Sequence, residues 1–159
     1  MNKCDQNCNS CSSKCGSGCP ICNVAGKNVP LITVKSLLKD NNHYFNDLKT
    51  YICINRKCPV IYYQEENPKY FIKDDIKTQI WFKSSLNEQI ICYCHNIKLT
   101  DIVEMVKNSE ELDLTKEKIF NKLGIKEEGN CLYNNPLGES CDKLFKNAIE
   151  FAYKQKNNE

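Results

Sequence analysis

Two spacings of apolar residues divide the chain. Up to about residue 75 they come in short runs broken by turn formers. "TYICI" (50–54) predicts a strand, and "VIYYQEENPKYFI" (60–72) predicts a strand, a turn around Glu65–Pro68 and a second strand. "VPLITVKSLL" (29–38) reads as extended, without a firm element. "DIKTQIWFKSSLNEQ" (75–89) reads as a linker with strand character, in which Trp81 and Phe82 are expected to pack inward. Residues 1–18 show no apolar periodicity and predict a flexible tail unless metal orders it.

From Cys92 the period lengthens to that of helices. "TDIVEMVKN" places Ile102, Val103, Met105 and Val106 on one side, with Thr100 or Asp101 as N-cap and Glu104 completing a capping box. "LTKEKIFNKLGI" predicts a helix capped by Thr115 and stopped by Gly124. "ESCDKLFKNAIEFAYKQ" predicts a third that opens near Ser140. It carries Leu144, Phe145, Ala148, Ile149, Ala152 and Tyr153 at spacings of three and four. The expected architecture is α+β: a tail (1–18), a β-rich module (19–75), a linker (76–91) and a small all-helical domain (92–156).

Composition narrows the chemistry. The formal charge is +2, the basic residues are scattered, and Arg56 is the only arginine, so the clustered footprint of nucleic-acid binding is missing. There is no Gly-rich nucleotide loop and no H-E-x-x-H, and neither His43 nor His95 has a sequence partner for a triad, so an enzyme is not expected. No run of 18 apolar residues and no signal-peptide core occur, which predicts a cytoplasmic chain without membrane insertion. Thiols stay reduced in that compartment, so the 12 cysteines point to metal rather than to disulfides.

The first set is "CPIC" (Cys19, Cys22) and "CINRKC" (Cys53, Cys58). Gaps of two and four residues suit structural zinc knuckles, and four thiolates favour tetrahedral Zn²⁺. A module this small also gains folding free energy from a metal. His43 fits neither pair and reads as a loop histidine. The second set is Cys92 and Cys94 in "ICYCHNIKLTD", with Cys131 and Cys141 in "NCLYNNPLGESCDKLF". A disulfide cannot comfortably join the two cysteines of C-x-C. Four sulfurs converging at helix N-termini suit either a [2Fe–2S] cluster or a second zinc, and spacing leaves both open. His95 is expected beside such a centre or facing solvent, not among its ligands.

"CYC" running into a helix signal, with two cysteines framing "CLYNNPLGESC" around Asn135, Pro136 and Gly138, resembles the N-terminal domain of CopZ-type copper chaperones. The resemblance runs from about Cys19 to Phe151. It implies a zinc module joined to a helical domain of the bacterioferritin-associated ferredoxin type, which holds a [2Fe–2S] cluster. By that resemblance zinc maps onto Cys19, Cys22, Cys53 and Cys58, and the cluster onto Cys92, Cys94, Cys131 and Cys141. Ordinary ferredoxin-type relatives close with C-x-x-C, so the spacing here follows the chaperone-like variant. The heavy-metal-associated domain of those chaperones, with its M-x-C-x-x-C copper loop, has no counterpart in this sequence.

The tail adds Cys4, Cys8, Cys11 and Cys15, soft thiolates at a density suited to Cu⁺, Zn²⁺ or Cd²⁺, against a plain reading as incidental cysteines. The expected function is one-electron transfer coupled to copper handling, for instance Cu(II) reduction and Cu(I) capture, with a redox or metal-trafficking protein as partner. Two alternatives compete: a ferredoxin-like redox adaptor docking on an enzyme or iron-storage protein, and a structural two-zinc interaction module.

Overall fold

A computed structural model describes residues 18–40, 45–65, 67, 69–127 and 129–158. The tail cysteines Cys4, Cys8, Cys11 and Cys15, and His43, lie outside the described residues.

The fold is α+β, with a β-rich N-terminal region followed by a largely helical one. Strands β1 (Lys27–Val29), β2 (Thr50–Ile52), β3 (Val60–Gln64) and β4 (Tyr70–Ile72) form an antiparallel sheet in sequential order. β3 is buried along its whole length, as a central strand covered on both faces must be. The period of two sends Ile52 to one face, against Val29, Val34 and Leu37, and Tyr51 and Cys53 to the other, against Tyr63 and Val60. A register irregularity between Val60 and Tyr62 lets both Ile61 and Tyr62 join the first of these clusters.

The segment expected to be extended is instead a helix, α1 (Leu31–Leu37). Its β-branched Ile32, Thr33 and Val34 argue for strand by propensity. Burial of Thr33, Val34 and Leu37 on one helical face overrides that preference, and Pro30 fixes the entry. The 75–89 segment is not a strand either: it holds the 3₁₀ turns Trp81–Lys83 and Leu86–Glu88. Trp81 and Phe82 are half-buried and meet edge to face at 5.3 Å.

The helical region opens with a hairpin, β5 (Ile90–Cys92) and β6 (Ile97–Lys98), followed by α2 (Leu99–Lys107), α3 (Lys116–Lys122), α4 (Cys131–Asn134) and α5 (Asp142–Lys156). Asp101 is not the N-cap of α2. It lies three residues inside, where its Oδ2 accepts from Lys98 N at 2.8 Å. Thr115 caps α3 as expected, accepting from Lys118 N, and Gly124 closes it at φ +69°. Ile102 and Val106 of α2 pack with Phe145, Ala148 and Ala152 of α5 and Ile119 of α3 in one core. α4, which no helix signal in the sequence announces, occupies part of the stretch between Cys131 and Cys141.

Candidate metal centres

The first set of cysteines converges at one edge of the sheet. Residues 18–25 form a tight turn in which Cys19 N donates to Val24 O and Asn23 N to Cys19 O, with Asn23 at φ +57°. That turn presents Cys19 and Cys22. Cys53 leaves β2 with its N–H still paired to Ile61 O, and a second turn returns the chain through Cys58 N to Asn55 O. The sulfurs of Cys19 and Cys58 lie 3.8 Å apart, those of Cys22 and Cys53 3.6 Å apart, and all four fall within 4.8 Å of one another. Four mutually close sulfurs form the donor set of a zinc-type site.

The segment read as a linker braces this site. Lys83 Nζ donates to the carbonyls of Asn55 and Cys58, and Arg56 Nε to Phe82 O. Without metal the thiols are electrostatically unequal. The Val24 backbone N–H draws Cys22 down to about 6, whereas burial pushes Cys53 and Cys58 up. Metal entry must therefore displace protons from the buried thiols.

In the second set, Cys92 ends β5 and Cys94 lies in the turn that joins it to β6. Cys92 and Cys94 both line one cavity of about 370 Å³ with Cys131 and Cys141. Tyr93 instead points to the linker, where its hydroxyl donates to Gln79 O and accepts from Trp81 N. Cys131 opens α4, and Cys141 is the residue on which α5 begins. The neighbouring Cys141 thiol draws Cys92 down to about 6, while Cys92 and burial push Cys141 up. Burial first, and then Cys131, push Cys94 up to about 11. Among the described residues, the first set is the only group of such donors that closes within 4.8 Å, so the second is the more open arrangement.

Three residues that the spacing arguments did not single out support this cavity. Asn134 Nδ2 donates to Cys94 Sγ at 3.6 Å. Gly129 lies against Cys94 so closely that a Cβ there would stand 2.1 Å from Cys94 Cβ. Lys116 reaches the cavity across the rings of Phe120 and Phe145 and pairs with Asp142. His95 lines the same cavity, half-buried, its ring edge-on to Phe120; its Nε2 is buried without a hydrogen-bond partner. Four soft sulfurs with a lysine cation beside them form a donor set for a thiophilic metal.

Comparison with known proteins agrees with the first site. Residues 16–77 match the family model zf_CopZ, described as a zinc binding domain. The X-ray structure of the Archaeoglobus fulgidus CopZ N-terminal domain superimposes with a TM-score of 0.61 at 24% identity, covering 82% of this chain and 95% of that one. The shared fold thus extends beyond the zinc-binding part into the helical region. No curated protein matches. Residues 16–77 are thus similar to a CopZ-type zinc-binding domain. No helix among the described residues is long and apolar enough to cross a membrane.

Proposed function

We propose that this protein is a metal-bound adaptor with two centres: a structural zinc on Cys19, Cys22, Cys53 and Cys58, and a [2Fe–2S] cluster on Cys92, Cys94, Cys131 and Cys141, presented to a protein partner. The observation that carries the reading is the contrast between the two sulfur sets. One closes into a single compact group within 4.8 Å, while the other lines a cavity of about 370 Å³ without closing to that distance. A single tetrahedral ion needs the first arrangement, and a two-iron cluster, with two thiolates on each iron, suits the second. When bound, the cluster would supply one-electron storage. The protein's own contribution is to hold the thiolates, to place Lys116 beside their negative charge, and to keep bulk water from Cys92 and Cys141, both nearly fully buried.

This reading keeps the adaptor and leaves copper outside the core. Reducing Cu(II) and capturing Cu(I) would call on Cys4, Cys8, Cys11 and Cys15 of the tail, and the eight other cysteines are committed to the two centres. Copper capture by residues 1–18 is thus an additional proposal, separable by comparing Cu(I) uptake of the whole protein and of a version starting at Gly18.

The test of the adaptor reading is metal analysis of anaerobically purified protein. A reddish-brown sample with two irons, two acid-labile sulfides and one zinc per chain is expected. Cys92→Ser or Cys141→Ser should remove colour and iron while zinc remains. Colourless protein with two zincs and no labile sulfide would replace the redox adaptor with a structural two-zinc module.

A further inference from the structure

The zinc-bearing unit touches the second centre through the segment that carries two of its cysteines. Thr33 Oγ1, on α1, donates to Leu132 O at 2.6 Å, and Ser36 Oγ, one turn on, donates to Tyr133 O at 2.6 Å. From β3, Tyr62 OH donates to Pro136 O at 2.7 Å. Thr33 and Tyr62 are completely buried. All three acceptors lie between Cys131 and Cys141.

These carbonyls need outside donors for a local reason. The last carbonyls of a helix have no partner within it. Here the residue four beyond Leu132 is Pro136, which has no N–H to offer. The residue four beyond Tyr133 is Leu137, whose N–H is already given to Asn135 Oδ1. The two orphan carbonyls at the end of α4 are therefore satisfied by hydroxyls some hundred positions earlier in the chain. The turn that follows is fitted to the same surface. Gly138, at φ +66°, passes so close to α1 that a Cβ would stand 2.5 Å from Thr33 Oγ1 and 3.0 Å from Pro30 Cδ. Asn135, 2% exposed, holds the turn from inside.

We infer that Thr33, Ser36 and Tyr62 are positioning residues for the second metal centre, and that the zinc-bearing unit acts as the template on which the Cys131–Cys141 segment is set. The inference rests on the reading of Cys92, Cys94, Cys131 and Cys141 as metal ligands. It adds a division of labour: the first unit holds its own metal and also fixes the spacing between Cys131 and Cys141, which their own unit leaves to a short helix and a turn. Removing the Tyr62 hydroxyl leaves a buried carbonyl unpaired, and removing that of Thr33 or Ser36 gives up a tie between the units, so the segment shifts and the sulfurs lose their spacing.

The experiment compares Thr33→Val, which keeps the shape and removes the donor, with Thr33→Ser, which keeps the donor, and adds Tyr62→Phe and the half-buried Ser36→Ala. Each protein is loaded anaerobically with iron and sulfide. Release of metal to a chelator is then followed separately for each centre, with visible circular dichroism reporting the thiolate geometry. The T33V/Y62F pair should release the second centre's metal about tenfold faster, within the range seen when groups supporting metal ligands are removed. Its visible dichroism should change, its zinc should leave at the unaltered rate, and T33S should behave as the parent. If T33V/Y62F does not fold, S36A alone carries the comparison and should show the same selective labilisation in smaller measure. Release and dichroism equal to the parent in the folded variants would overturn the inference, as would equal labilisation of both centres. Should the second set hold zinc in place of iron, release of that zinc supplies the same readout. A parent whose second set takes up no metal sinks the underlying reading and this inference with it.

Discussion

At the scale of single residues, the second centre depends on close approach as much as on sulfur. Cys92, at the end of β5, and Cys94, in the turn after it, both line one cavity, while Tyr93 between them anchors to the linker. Cys94 can stay there only because residue 129 has no side chain. In Gly129→Ala the new Cβ would stand 2.1 Å from Cys94 Cβ and 2.4 Å from Cys94 Sγ, far inside any real contact. Cys94 would have to give up its place in the cavity. Elemental analysis of G129A should show the second metal lost or sharply reduced and zinc near one per chain; a parent-like iron content would mean that Cys94 is not a ligand. The cysteines themselves were legible from their spacing. Gly129, Asn134 and Lys116 were not, because each acts on a cysteine distant from it in sequence.

At the scale of elements, legibility followed the strength of the period. α2 and α5 show apolar spacings of three and four over two turns or more, while α3 was bounded directly by the cap Thr115 and the stop Gly124. β2, β3 and β4 were legible as apolar runs between turns. β1 has three residues, too few for any period to register, and α1 carries strand-forming residues in a helix that packing against the sheet and α4 maintains. The connection from α2 to α3 shows how a short segment is fixed without its own period. Tyr153 of α5 donates to Glu111 O and accepts from Leu114 N. The Glu111 carboxylate meets Lys122 at 3.0 Å and Lys118 at 3.1 Å, one turn apart on α3. Hydrogen bonds from Lys122 and Lys118 hold its pKa below the ordinary carboxylate value of 4.5. A depressed folded-state pKa means that this contribution is full above about 4.5 and fades as pH falls through the lower folded value. Glu111→Gln should therefore lower the thermal midpoint slightly at neutral pH and low salt. The difference should shrink with added salt and vanish in acid. An undiminished difference in strong acid would show that the carboxylate charge is not what matters.

At the scale of the whole molecule, the relation between the two units was the least legible feature. Thr33 and Leu132, or Tyr62 and Pro136, are joined by no local pattern: Thr33 sits in a stretch read as extended and Tyr62 in a predicted strand, and nothing in either names its distant partner. The distribution of apolar burial makes the units unequal. The helical region has one core built from α2, α3 and α5. The sheet has a cluster on each face, and the one on the metal-site face consists of Cys19, Cys53, Cys58, Tyr51, Tyr63 and Val60, half of it cysteine. That face has little to hold it once the sulfurs are not tied together, because the two turns that carry them belong to no strand or helix. Cys53→Ser is the sharpest probe: the residue is fully buried between β2 and the second turn, and its loss removes one of four ligands. The variant should bind no stoichiometric zinc and should lose the near-ultraviolet signal of the Tyr51–Tyr63 pair, whose rings stack at 5.6 Å behind the site. Far-ultraviolet helical signal should largely persist, since the α2–α5 core draws nothing from that face. A C53S protein that keeps its tyrosine signal and its thermal midpoint would show that the sheet folds on apolar burial alone, and that zinc there is a passenger and not a structural part.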